Sequence, residues 1–319
     1  MVSYGLHSVS LYTMNIATGD LHFLAGRGDK SAYQEGVGDQ ARFGQIRDII
    51  TSPVDYPNKL WIVDQKPGCI RSLDRRTNRT SHFAGMCGFF SDVDGFLNRA
   101  QTGEVSSIIK DPHSDEKYYV YDSTYFSIKL LQYFDRASSW SLRRIVNLRP
   151  SSGRPPIVGN INFDFAGRLI YIFTDSGAWQ YDPSMKTLSK GRPLLFYDGF
   201  DSLFLSHRLY LVGKRRTLLA FDLQTNTSKR LCLSTPPYMS VLHPLQICHN
   251  VGSYSGFLGM AKHPRYSVLF VTGFSKIFTV EYRGLRATIS YKSFYIVTQF
   301  LAYYYGKVIS TSPLSVIVV

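Results

Sequence analysis

The side chains that could do chemistry in this sequence are four cysteines, eight histidines and several clusters of arginine and lysine. The cysteines, Cys69, Cys87, Cys232 and Cys248, include no C-x-x-C, so a zinc site is not expected. The histidines (His7, His22, His82, His113, His207, His243, His249 and His263) share no metal-ligand spacing. No catalytic residue, metal ligand or cofactor is therefore assigned, and the chain is not expected to be an enzyme. The stretch LAGRGDKSAYQEGVGDQARF, Leu24 to Phe43, holds Arg27-Gly28-Asp29, the tripeptide that integrins read. It is short enough to arise by chance. Lys30-Ser31 follows Gly28 too closely for a phosphate loop, and no helical pattern comes after it.

The basic residues are more suggestive. Arg71, Arg75, Arg76 and Arg79 cluster around one expected hairpin, and Lys214, Arg215 and Arg216 read as the corresponding turn of a later unit. After residue 240 Glu281 is the one acid, against seven Lys or Arg. Over 319 residues Lys plus Arg outnumber Asp plus Glu by 36 to 23, a net charge of +13. Such a charge attracts polyanions: nucleic acid, acidic glycans or an anionic membrane surface. Two glycosylation sequons, Asn78-Arg79-Thr80 and Asn226-Thr227-Ser228, fall in equivalent expected turns.

The elements that must position these residues are strands. Hydrophobic residues make up 44% and aromatics 14%, with 22 Tyr and 21 Phe against 3 Trp. That composition gives a folded chain and favours strands over helices. The opening MVSYGLHSVSLY lacks a basic start followed by an apolar run, so no secretory signal is read there. No window of about 18 residues is free of polar groups, so no transmembrane helix is expected.

One unit recurs: an apolar β-rich run, a turn, then a second run ending in an acid. The copies are LWIVD with CIRSLD (Asp74), YYVYDS with IKLLQYFD (Asp135), LIYIFTDS with AWQYD (Asp182), and RLYLVG with TLLAFD (Asp222). The last is VLFVTG with KIFTVEY, where Glu281 stands near the acid position. The recurring acids sit in turns, where Asp commonly bonds its own backbone. A further short strand lies on either side of each pair, giving four strands per unit at a spacing of roughly 40–60 residues, the pattern of an all-β propeller. The N-terminal VSLYTMNIATGDLHFLAG reads as the last two strands of a further blade. The tail segments YIVTQFLA and YYYGKVIST read as its first two. Residues 1–25 and 293–319 would then share the closing blade of one domain spanning 1–319. The blade count that closes is six, with five or seven as alternatives. In such a ring His207 and His263, just before inner runs, could face the channel; they are expected to be ordinary loop residues.

The segment AGRGDKSAYQEGVGDQARFGQIRDI through LWIVDQKPGCIRSLDRRTNRTSHFAG resembles the NHL repeat family. Gly26, Gly28, Gly36, Gly38, Ala41 and Phe43 match the family's Gly-rich link, and Val63, Asp64, Ile70, Arg71 and Asp74 match its strands. The next copy keeps Gly85, Asp94, Gly95 and Ala100 but has Thr102 and Gly103 near the family's Phe. From about residue 150 only the strand pattern persists. The placement of Cys69 and Cys87 is similar to that in large extracellular NHL-type proteins such as egg bindin receptor-like proteins. The resemblance implies a Cys69–Cys87 disulfide, and Cys232–Cys248 would be a second pair. Buried thiols in a cytosolic protein are the alternative.

The resemblance also implies a secreted or cell-surface recognition scaffold whose loops bind protein or acidic glycan. With no signal read at Met1, that reading leads to the expectation of a fragment or an incomplete gene model. The alternative is a cytoplasmic NHL module binding RNA through a basic face; a metal-dependent propeller hydrolase or lyase is a remote third. No feature of the sequence fixes the oligomeric state.

Overall fold

A computed structural model describes residues 10–190 except 16–17, 19, 28–31, 54–57, 98, 150–157, 165 and 175–176, and beyond 190 it describes strand backbones alone. The strands run β1 (Leu11–Asn15), β2 (Leu21–Ala25), β3 (Gly36–Val37), β4 (Ile46–Thr51), β5 (Lys59–Asp64), β6 (Cys69–Asp74) and β7 (Arg79–Ala84). Next come β8 (Gly95–Phe96), β9 (Val105–Lys110), β10 (Lys117–Asp122), β11 (Ser127–Phe134) and β12 (Ser139–Asn147). Then follow β13 (Val158–Phe163), β14 (Ile170–Thr174), β15 (Gly177–Asp182), β16 (Thr187–Lys190), β17 (Asp201–Phe204), β18 (Leu209–Lys214), β19 (Thr217–Asp222) and β20 (Thr227–Leu231). The last are β21 (Phe257–Lys262), β22 (Val268–Gly273), β23 (Lys276–Arg283), β24 (Arg286–Thr288), β25 (Phe294–Tyr295), β26 (Val308–Ser312) and β27 (Ser315–Val318). The only helical pieces among the described residues are single 3₁₀ turns at Gly38–Gln40 and Asp135–Ala137.

These strands form antiparallel sheets in simple up-and-down order, β4 to β7, β9 to β12, β13 to β16, β17 to β20 and β21 to β24. A further sheet has the order β2-β1-β27-β26. The first strands neighbour one another in a cycle, β4 to β9, β13, β17, β21, β26 and back to β4. Sheets radiating from a ring of inner strands make a β-propeller. The closing sheet draws its outer pair from the start of the chain and its inner pair from the tail. The tail strands lie later than the sequence pattern suggested. Phe294–Tyr295, at the head of YIVTQFLA, pairs with β23, and the closing pair is Val308–Ser312 with Ser315–Val318.

The core follows from alternation along strands buried on both faces. In β5, Trp61 and Val63 face the next blade, in a cluster with Val105, Tyr118, Val120 and Trp140. Leu60 and Ile62 face the other way, against Leu11, Leu24, Ala25 and Phe43. Trp61 stacks on Phe83 at 4.3 Å and meets Trp140 edge-on at 5.0 Å. A third layer, including Tyr119, Tyr121, Ile172 and Trp179, joins the second and third blades. Each inter-blade layer is thus a sheet-on-sheet interface.

The Gly-rich link is the crossing between blades, as its glycines suggested. Gly26 (φ 96°) and Gly38 (φ 55°) adopt the left-handed backbone that favours glycine, and the Gly26 N–H donates to the Gly38 carbonyl at 3.0 Å. Ala41 and Phe43 anchor the following strand and are fully buried. Gly28 and Asp29 lie outside the described residues; Arg27 is exposed.

Candidate anion-binding surface

Arg71 is not a surface residue. It is 0% exposed, and its guanidinium donates to Asp64 Oδ2 at 3.2 Å and to the carbonyls of Arg42 and Gln34. The guanidinium carbon stands 4.5 Å from the Phe43 ring centroid and 5.1 Å from that of Tyr33. Asp64 also accepts from the Gly44 and Gln45 N–H groups, both at 2.9 Å. The pair therefore staples the incoming link to the second and third strands of its blade. The sequence grouped Arg71 with the ligand-facing arginines; burial removes it from that group.

The next blade repeats the device. Lys129, at the register position of Arg71, reaches Asp92 at 2.5 Å and the Gln101 carbonyl at 3.1 Å. Asp122, at the position of Asp64, accepts the Gly103 N–H at 2.8 Å. A Cβ on Gly103 would stand 2.3 Å from Thr124 Cβ, so only glycine passes there. Thr102 replaces Phe43; it is buried, and its hydroxyl donates to the Gly68 carbonyl at 2.6 Å. In the third blade Thr174 and Trp179 occupy the two positions, and the charge pair is gone. That loss is the physical content of the pattern fading past residue 150.

The β6–β7 turn carries the remaining arginines. Burial alone would raise the Asp74 carboxyl. The N–H groups of Arg76 and Thr77, with the cations of Arg76 and Lys59, outweigh it and hold the group below the usual carboxylate range. The Arg76 N–H lies 2.8 Å from Asp74 Oδ1. Asp182 caps its own turn in the same way, accepting from the Ser184 and Met185 N–H groups. Asn78 closes the β6–β7 turn in the left-handed region (φ 55°), and its carbonyl accepts the Gly38 N–H at 2.9 Å. The turn is thus tied to the link.

Beside this turn lies an open cleft of about 410 Å³ between the closing blade and the first full blade. Thr13, His22, Phe23 and Leu24 line it from β1 and β2. Asn58, Arg75, Arg76 and Asn78 line it from the opposite side. Two arginines thus share a largely polar cleft whose lining contains no carboxylate, although Asp74 holds Arg76 from behind at 3.7 Å. Phe23, 39% exposed, offers an aromatic wall. Arg79 is exposed but does not line the cleft. Sequence reasoning missed Thr13, His22 and Asn58, which are far from the turn along the chain. The link that folds β2 against the first blade was their signal.

Of the other basic group, Lys214 does not join this surface. Lys214 ends β18, at the register position of Asp64, in the turn between second and third strands. Arg75 and Arg76 sit between third and fourth strands, at the opposite end of the blades. Lys214 therefore does not occupy the corresponding turn. Arg215, Arg216, Asn226, Cys232, Cys248, His207 and His263 lie outside the described residues.

At the end of the blades away from the cleft, Cys69 and Cys87 form a disulfide with Cα atoms 5.0 Å apart. Just beyond it Phe89 and Phe90 are 62% and 49% exposed. Among the described residues no group of three or more His, Cys, Asp or Glu could hold a metal ion. No helix among them is long and apolar enough to cross a membrane.

No protein-family model matches the chain, and no curated protein does. Solved structures do resemble it. A structural genomics protein of unknown function from Bacteroides thetaiotaomicron is 10% identical over 97% of this chain and 75% of that one, with a TM-score of 0.58. The extracellular domain of a protein described as a hybrid two-component system, from the same organism, is 9% identical with a TM-score of 0.53. That match covers 98% of this chain and 40% of the other, so this chain spans less than half of that protein. The β-propeller domain of Cps50 (Swd1) from Myceliophteria thermophila is 11% identical over 95% of this chain and 84% of that one, with a TM-score of 0.48. At such identities the likeness is one of fold.

Proposed function

We propose that the protein is a non-enzymatic recognition scaffold, a six-bladed NHL-type propeller that binds an acidic glycan in an oxidising, extracellular setting. The observation that carries this reading is the cleft at the β6–β7 turn, which Arg75 and Arg76 line together with His22. Guanidinium groups match the planar geometry of carboxylate and sulfate oxygens. The net charge of +13 draws a polyanion toward the molecule before the cleft selects it. The Cys69–Cys87 bridge supports the setting, since disulfides persist outside the reducing cytosol. The recurrence of an Asp and a cation at the same two register positions, Asp64 and Arg71 in one blade and Asp122 and Lys129 in the next, supports the NHL assignment.

The test is retention on a sulfated polysaccharide matrix across a salt gradient. The Arg75→Ala/Arg76→Ala variant should elute earlier, with the salt dependence of binding reduced by about one logarithmic unit per arginine, as for other polyanion contacts. An Arg99→Ala/Arg168→Ala variant removes the same charge from exposed sites outside the cleft and should elute nearly as wild type does. Equal shifts for both variants would reduce the site to net charge and sink the reading. Tight, salt-sensitive RNA binding that depends on the same two arginines, without polysaccharide binding, would transfer the site to RNA.

A further inference from the structure

The cleft and the first sequon share a wall. Asn78, the acceptor of Asn78-Arg79-Thr80, lines the cleft together with Arg75 and Arg76. We infer that Asn78 is a carbohydrate-attachment site and that a glycan there closes the cleft to acidic ligands. The inference rests on the acidic-glycan reading for the ligand, while attachment itself stands apart from it.

The turn geometry is what makes the two uses exclusive. Asn78 is half-buried, and its carbonyl is held by the Gly38 N–H at 2.9 Å. That backbone bond fixes the Asn78 Cα at the cleft wall, so a glycan attached here is anchored beside the cleft. The first sugars start at the wall of an open space of about 410 Å³ that the ligand also needs. An N-linked glycan is bulky and hydrated. In the attachment step Asn78 Nδ2 bonds to the anomeric carbon of a lipid-diphosphate-linked oligosaccharide. The bond from that carbon to the diphosphate oxygen breaks, the lipid diphosphate leaves, and Nδ2 gives up one proton. The step acts on the chain before it folds, so the burial of Thr80 in the finished protein does not oppose it.

Thr80 supplies a clean test. It is 1% exposed, and its hydroxyl has no hydrogen-bond partner. Thr80→Val abolishes the sequon, keeps the side-chain shape, and removes a buried hydroxyl that bonds nothing, which is close to neutral. All the residues lining the cleft stay in place, which Asn78→Gln would not achieve at a left-handed position.

The full chain, wild type and Thr80→Val, is secreted from a glycosylating eukaryotic cell behind an added leader. Wild type is also made in a bacterial periplasm as a second form without glycan at Asn78. Mass analysis of the peptide containing Asn78 should find glycan on secreted wild type and on neither other form. Both forms without glycan at Asn78 should bind the sulfated polysaccharide at least 10-fold more tightly than the protein glycosylated there. An unmodified Asn78 in secreted wild type overturns the inference. Equal binding by protein with and without glycan at Asn78 overturns the closure while leaving the acidic-glycan reading intact. If no form binds, the acidic-glycan reading falls and closure with it, whatever the mass shows.

Discussion

Arg71 and Arg76 stand five positions apart and sit in opposite environments, one buried and one exposed. Arg71 is sealed against Asp64, so truncating it leaves a buried carboxylate without its counter-charge. Arg71→Ala should cost about 3–5 kcal/mol in urea denaturation, whereas exposed Arg76→Ala should stay within about 0.5 kcal/mol. Similar costs for the two would contradict the assignment of one to architecture and the other to ligand. The sequence could not separate them, because an arginine's fate depends on whether both faces of its strand are covered. Tyrosines set the alkaline limit. Burial, and then the hydrogen bond to Glu35, push the Tyr33 phenol up to about 12, and burial also raises Tyr119 and Tyr121. A raised folded value gives stability that is fully present below the unfolded phenol value near 10 and is lost as pH climbs through the folded values. Melting temperature should therefore hold up to about pH 9.5 and fall steadily above it. A flat profile to pH 11.5 would count against the buried Tyr119 and Tyr121 phenols.

At the scale of the element, the Cys69–Cys87 bridge ties the start of a third strand to the link leaving its blade. It closes a loop of 18 residues. Replacing both cysteines by Ala should cost about 2–4 kcal/mol. The comparison to make is the denaturation midpoint of wild type with and without reductant against that of the variant, which should not respond to reductant. The pairing was legible in the sequence only through a family resemblance, and the Cα separation of 5.0 Å supplies its physical basis. Blade strands were legible directly. LWIVD, CIRSLD and YYVYD became β5, β6 and β10 because apolar runs bounded by turn residues leave the chain few other options. The closing strands were misplaced by several residues, since an apolar, aromatic tail offers many registers of similar quality.

At the scale of the whole molecule, the ring depends on β27 lying between β1 and β26. Removing 308–319 uncovers the inner edge of β1, and exposed edges recruit other strands. The shortened chain should unfold at lower urea and associate to larger species by sedimentation than the full chain does. Unchanged midpoint and size would mean that the ring does not need this closure. The sequence by itself determined the kind of protein: strands, their grouping in fours, the inter-blade link and the excess of positive charge. These follow from local alternation, turn chemistry and composition, which act over a few residues. Only the tertiary structure decided which arginines are buried and which line a cleft. It buried Arg71, sent Lys214 to the opposite end of the blades, and gathered Arg75, Arg76, Asn78 and His22 around one cleft. Strands distant in sequence become neighbours through ring closure, and a site built across that junction leaves no local signature in the chain.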